Sequence, residues 1–146
     1  MIKVYIAAPF FSKEQLEAVD EIESQLFLGG INYYSPRKDG ILNDMTDEQR
    51  KQKQSFIFNS NISGMDSCTH ILANISKYNG ARDSGTIFEV GYFSAQKKPI
   101  ILFCNDIKEM SVMISESARV VYSDLKKTNL AFHGIHNEKH KIGKMN

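Results

Sequence analysis

The sequence predicts an α/β domain, doubly wound, with helices on both faces of a parallel sheet of about five strands. Three observations carry that prediction. Strand-like and helix-like segments alternate along the chain. Several strand-like runs are solidly apolar, as in strands buried on both faces. The chain has 146 residues, 42% hydrophobic and 24% charged, enough for one domain with its own core and too few for two.

The first strand is Ile2 to Ala8, stopped by Pro9. Ser12 and Gln15 form a capping box for the first helix, whose apolar stripe (Leu16, Val19, Ile22, Leu26) runs to Gly29-Gly30. Ile31 to Tyr34 reads as the second strand, ended by Ser35-Pro36. A second helix spans about Asp47 to Asp66, polar at first and entering the core at Phe56. Thr69 to Ile75 is the third strand, and the loop after it holds the turn formers Asn79 and Gly80. Ser84 caps a third helix from Gly85 to Gln96. Pro99 to Cys104 is the most continuously apolar strand. A short helix near Ile107–Glu116 and a strand at Arg119–Tyr122 close the ordered part. Five parallel strands in this length give a flavodoxin-like architecture.

The net charge of +1 offers no electrostatic case for binding a nucleic-acid polymer. The charge is uneven: residues 126–146 hold five Lys and one acid, so residues 1–125 read as the folded domain and 126–146 as a basic tail. His133, His136 and His140 could approach one another there, but no Cys or acid cluster completes a metal site, and a solvated tail is the better reading. Cys68 and Cys104 lie in or beside apolar runs without a C-x-x-C, which suits reduced, buried thiols in a cytoplasmic protein. No segment has the length of a secretory h-region or a membrane span.

In such folds ligands bind beyond the carboxyl ends of the strands, here Ala8–Ser12, Ser35–Gly40, Ile75–Glu89 and Asn105–Ser111. Glu89 lies among Ile87, Phe88, Val90 and Phe93. Desolvation there raises a carboxyl pKa, while the nearby helix N-terminus favours the ion. A poorly hydrated carboxylate serves as a nucleophile or base; the alternative is a structural acid holding an amide or a basic partner. Asp83 alone reads as a turn residue just outside the cap, and beside Glu89 as the second member of a carboxylate pair of the kind used in glycosyl transfer. Gly85 allows close backbone approach at the helix start, and Gly91 does so on a packing face. Tyr5 is a lone polar group in the first strand apart from Lys3. Phe10 and Phe11 can floor a flat ligand or serve as ordinary core residues. His70, inside an apolar strand, reads as a satisfied core or strand-end histidine rather than a catalyst. No Gly-x-Gly-x-x-Gly or Walker loop is present, so dinucleotide and nucleoside-triphosphate binding lack support.

The segments Val4-Tyr5-Ile6-Ala7-Ala8-Pro9-Phe10-Phe11-Ser12, Asp83-Ser84-Gly85-Thr86-Ile87-Phe88-Glu89-Val90-Gly91-Tyr92 and Lys98-Pro99-Ile100-Ile101 together resemble the nucleoside 2-deoxyribosyltransferases, over residues 2 to about 122. The resemblance implies transfer of a deoxyribosyl group from a 2′-deoxynucleoside to another free nucleobase, in cytoplasmic nucleoside salvage and without a metal or organic cofactor. It implies Glu89 as the nucleophile of a covalent intermediate, Asp83 handling the base and Tyr5 orienting Glu89. Phe10, Phe11 and Gly85 would line the substrate pocket. It also implies a homo-oligomer, dimer or hexamer, in which a neighbour supplies the Ser111-Val112-Met113-Ile114 segment, with Ser111 and Met113 at the substrate.

Three positions depart from the family pattern. Asn61 stands where the transferases commonly have Asp, so base protonation falls on Asp83. Gly40 stands at a common Gln. Ser111 stands at an Asn, as in the related 2′-deoxynucleoside 5′-monophosphate N-hydrolases, whose Ser-rich first loop this chain lacks. Hydrolysis of a monophosphate is the runner-up activity, and a nucleotide-binding module without turnover the third.

Overall fold

The computed structural model describes residues 1–39, 46–133 and 140–142. The strands are β1 (Lys3–Ala7), β2 (Asn32–Tyr34), β3 (His70–Asn74), β4 (Lys77–Tyr78), β5 (Ala81–Arg82), β6 (Ile100–Phe103), β7 (Val120–Tyr122) and β8 (His140–Ile142). The helices are α1 (Lys13–Leu28), α2 (Pro36–Asp39), α3 (Asp47–Gln52), α4 (Gln54–Asp66), α5 (Ser84–Ala95), α6 (Val112–Ser117) and α7 (Thr128–His133). Among the described residues the main sheet has the order β2-β1-β3-β6-β7-β8, parallel throughout. Its first five strands follow the flavodoxin order.

Side-chain alternation divides the core in two. Tyr5, Ala7, Ile71, Ala73, Ile100, Leu102 and Val121 face α4, α5 and α6, where Met65, Val90, Phe93 and Ile114 meet them. Val4, Ile6, Leu72, Ile101, Phe103, Val120 and Tyr122 face Ile22 and Leu26 of α1 and Ala131 and Phe132 of α7. The capping box at Ser12 forms in full. Both cysteines are free and buried.

Local features aim the loops at the carboxyl edge. Glu23, buried in α1, accepts hydrogen bonds from Ser35 Oγ at 2.7 Å and Arg37 Nε at 2.9 Å and pairs with Lys38 at 2.7 Å. Burial pushes its carboxyl up, but these partners outweigh it and hold Glu23 below the ordinary range. That cluster fixes the turn at Pro36. After β3, the β4–β5 hairpin turns at Asn79 (φ 53°) and Gly80 (φ 78°), the left-handed pair that an Asn-Gly turn allows. The Arg82 guanidinium pins the hairpin, donating to Ile75 O and to Cys104 Sγ at 3.2 Å.

Several expectations change. The helix expected over 47–66 is two helices, broken at Lys53, and Phe56 is exposed, because α4 meets the core through Gly64 and Met65. Asp83, not Ser84, is the N-cap of α5; its carboxylate accepts from Thr86 N at 2.9 Å and Thr86 Oγ1 at 2.8 Å. The late helix begins only at Val112, capped by Ser111. Gly91 is exposed, with open space where a Cβ would be. The segment expected to be a solvated tail carries α7, with Ala131 and Phe132 buried, and β8, paired with β7. Its lysine content masked these few apolar residues. Gly40, His136 and the side chains of His133 and His140 lie outside the described residues. Among the described residues no helix is long and apolar enough to cross a membrane, and no cluster of metal-ligating side chains occurs.

Candidate active site

At the carboxyl edge of the sheet a cavity of about 250 Å³ opens between the β1 loop, the turn at Pro36, α4 and the start of α5. Helical spacing builds two of its walls. Phe58, Asn61, Ile62 and Met65 lie at i, i+3, i+4 and i+7 on α4, and Gly85, Phe88 and Glu89 at i, i+3 and i+4 on α5, which puts each set on one helix face. Ala8, Phe10 and Phe11 close the side after β1, where Pro9 turns the chain, and Asp83 stands at the mouth of α5.

Glu89 is the chemically distinctive group. The Tyr5 hydroxyl, fully buried in β1, donates a hydrogen bond to Glu89 Oε2. Burial pushes the Glu89 carboxyl up to about 7; the Tyr5 bond works against that rise and the negative charge of Asp83 adds to it. Desolvation therefore wins over the local features that favour the ion. Burial, with Glu89 next to it, drives the Tyr5 hydroxyl far above its ordinary value, so Tyr5 acts purely as a donor. A carboxyl titrating near neutrality, held by one donor on an apolar wall, can serve as a nucleophile or a base.

Of the residues singled out from sequence, Tyr5, Phe10, Phe11, Asn61, Asp83, Gly85 and Glu89 meet at or behind this cavity. Ser111 and Met113 do not. Ser111 caps α6 through Met113 N at 3.2 Å, and Met113, 80% exposed, lies on a shallow groove with Ile87, Val90 and Ile114. The sequence reading missed Phe58 and Phe88, whose rings meet at 6.2 Å between centroids and which are each 54% exposed; the i, i+3, i+4, i+7 spacing around Phe58 was the available signal. It also missed Tyr34, stacked on Tyr5. Among the described residues no Lys, Arg or His lines the cavity.

The fold recurs in solved structures. A 2-deoxyribosyltransferase from the psychrotolerant bacterium Bacillus psychrosaccharolyticus superposes with a TM-score of 0.73 at 26% identity, covering 87% of this chain and 90% of that one. A 2-desoxiribosyltransferase from Leishmania mexicana gives 0.69 at 22% identity, covering 94% and 99%. A CMP N-glycosidase from Clostridium botulinum gives 0.58 at 16% identity, covering 90% and 98%, and shares the fold. No curated protein gives a significant match to the chain. The family model for nucleoside 2-deoxyribosyltransferase matches residues 4–142, which takes in α7 and β8 as well as both carboxylates. The chain thus belongs to the nucleoside 2-deoxyribosyltransferase family, whose members are enzymes that handle glycosyl groups.

Proposed function

We propose that this chain exchanges the base of a 2′-deoxynucleoside, acting in cytoplasmic nucleoside salvage without a cofactor. The observation that carries the reading is the partly buried Glu89 carboxyl, held by Tyr5 on the wall of a cavity that also contains Asp83. Tyr5 occupies Oε2, so Oε1 attacks C1′ of the sugar. The C1′–N bond breaks as the C1′–O bond forms, and the departing base takes a proton from the Asp83 side. Asn61, on the α4 wall of the same cavity, orients the base without supplying a proton. In the second half the acceptor base attacks C1′, gives its N–H proton back to Asp83, and Glu89 leaves as carboxylate. Two inversions give retention. The lack of a 2′-hydroxyl helps, because an electron-poor neighbour would oppose positive charge at C1′.

The aromatic rings Phe10, Phe11, Phe58 and Phe88 suit a flat base and an uncharged sugar. Two carboxylates and no cation among the described lining residues disfavour a 5′-phosphate, which normally calls for Arg, Lys or a run of backbone amides. The same reading includes a homo-oligomer in which Ser111 and Met113 of one subunit complete a neighbour's cavity; their exposure, away from the cavity of their own chain, supports it.

Incubation with a 2′-deoxynucleoside and a different free base, followed by chromatography, tests the activity. A new deoxynucleoside is expected only when acceptor is present, and Glu89→Ala should lower its formation by at least about 10³-fold, as for the loss of a nucleophile. Base released from a 5′-monophosphate without exchange would identify a hydrolase instead.

A further inference from the structure

Two aromatic rings hold Tyr5. β1 and β2 run parallel with Tyr5 opposite Tyr34, so both side chains leave the same face of the sheet. Their rings stack with centroids 5.5 Å apart and planes 9° from parallel. Phe93 of α5 also meets the Tyr5 ring, at 6.0 Å between centroids and 38° between planes. Behind Tyr34 comes α4, and it arrives at Gly64. A Cβ on Gly64 would lie 2.7 Å from both Cε1 and Cζ of the Tyr34 ring and 3.0 Å from Cε2. Nothing larger than glycine fits unless the ring or the helix moves. Glycine is unfavourable inside a helix, so its presence there calls for a packing reason, and the Tyr34 ring supplies one.

We propose that Gly64 and Tyr34 are positioning residues for Glu89: the α4 backbone at Gly64 seats the Tyr34 ring, which stacks on Tyr5 and keeps the Tyr5 hydroxyl on the carboxyl. The inference rests on Glu89 being the reacting group. Its consequence is electrostatic as well as geometric. The Tyr5 bond favours the charged form of Glu89, against burial and against Asp83. Around Tyr5 the titratable neighbours are Glu89, Tyr34 and Cys68. Letting the Tyr5 ring drift removes the hydrogen bond that draws Glu89 toward the ion.

The test is a ¹³C titration of the Glu89 carboxyl in the full chain, the signal being assigned by its loss in Glu89→Gln. Tyr5→Phe sets the scale and should move the titration up by about one pH unit, the size of one hydrogen bond to a charged group. Tyr34→Leu and Gly64→Ala should each move it the same way by at least about half as much, and Tyr34→Phe, which keeps the ring, should restore it. In exchange assays the two displaced variants should lose about tenfold in kcat with KM within about twofold. A wild-type titration in folded Tyr34→Leu and Gly64→Ala overturns the proposal. A displaced titration in Tyr34→Phe overturns it too, since the hydroxyl and not the stacked ring would then be responsible. If Gly64→Ala does not fold, the Gly64→Ala/Tyr34→Leu double variant removes the overlap and should fold and titrate like Tyr34→Leu. The titration is read without turnover, so a wild-type chain that fails to exchange bases counts against the proposed activity alone.

Discussion

The role proposed for Glu89, attack on carbon, needs an ionised carboxyl, yet Glu89 sits where ionisation is disfavoured. Its value of about 7 in the folded chain lies above the ordinary 4.5, so the native state binds this proton more tightly than the unfolded chain does. The stability this contributes is complete below about pH 4.5 and is lost as pH rises through about 7. Glu89→Gln, neutral at every pH, should therefore gain on the wild type by on the order of 3 kcal/mol at pH 8 and by little at pH 5. Denaturant unfolding at the two pH values checks this, and an equal difference at both would mean that Glu89 is well hydrated. Activity should rise with pH through the same interval, as the proposed nucleophile ionises. Sequence placed Glu89 correctly among apolar neighbours, but the balance between burial and the helix terminus needs the depth of burial, which only the folded chain supplies. Phe58 escaped notice because its neighbour Phe56 suggested a helix entering the core, whereas that face of α4 lines the cavity.

Asp83 belongs to its helix as much as to the cavity. As the N-cap of α5 it satisfies Thr86 N and Oγ1, so Asp83→Ala confounds two losses, with about 1 kcal/mol attributable to the cap alone. Asp83→Asn separates them. Asn caps nearly as well as Asp, so stability should stay within about 0.5 kcal/mol while base exchange falls by about 10²-fold or more, as for the loss of a general acid. Thermal unfolding and kcat/KM measured on one preparation decide the matter; unchanged activity would confine Asp83 to capping. Caps and turns were readable where a single residue could fill the role, as at Ser12 and at Asn79-Gly80. At Asp83-Ser84 two good capping residues are adjacent, and only the Thr86 contacts choose between them. The break at Lys53 carries no Pro or Gly to announce it.

The five expected strands form in the flavodoxin order, and the sixth was hidden by charge. Lysines dominate the composition after residue 125, while the packing there depends on a few apolar side chains, Ala131 and Phe132 above all. Phe132 is 4% exposed and its ring meets that of His70 at 5.5 Å. Phe132→Ala should cost about 3–5 kcal/mol, read from the denaturant midpoint; a loss under about 0.5 kcal/mol, the range of surface substitutions, would return the segment to the status of a tail. The pairing of β8 with Val120–Tyr122 has a practical consequence. A shortened chain ending near residue 125 would uncover the outer hydrogen-bonding row of a strand made of Val120, Val121 and Tyr122, a ready template for another chain. Such a fragment should precipitate or self-associate although its cavity is intact, so purification handles belong at the amino end and domain boundaries beyond Ile142.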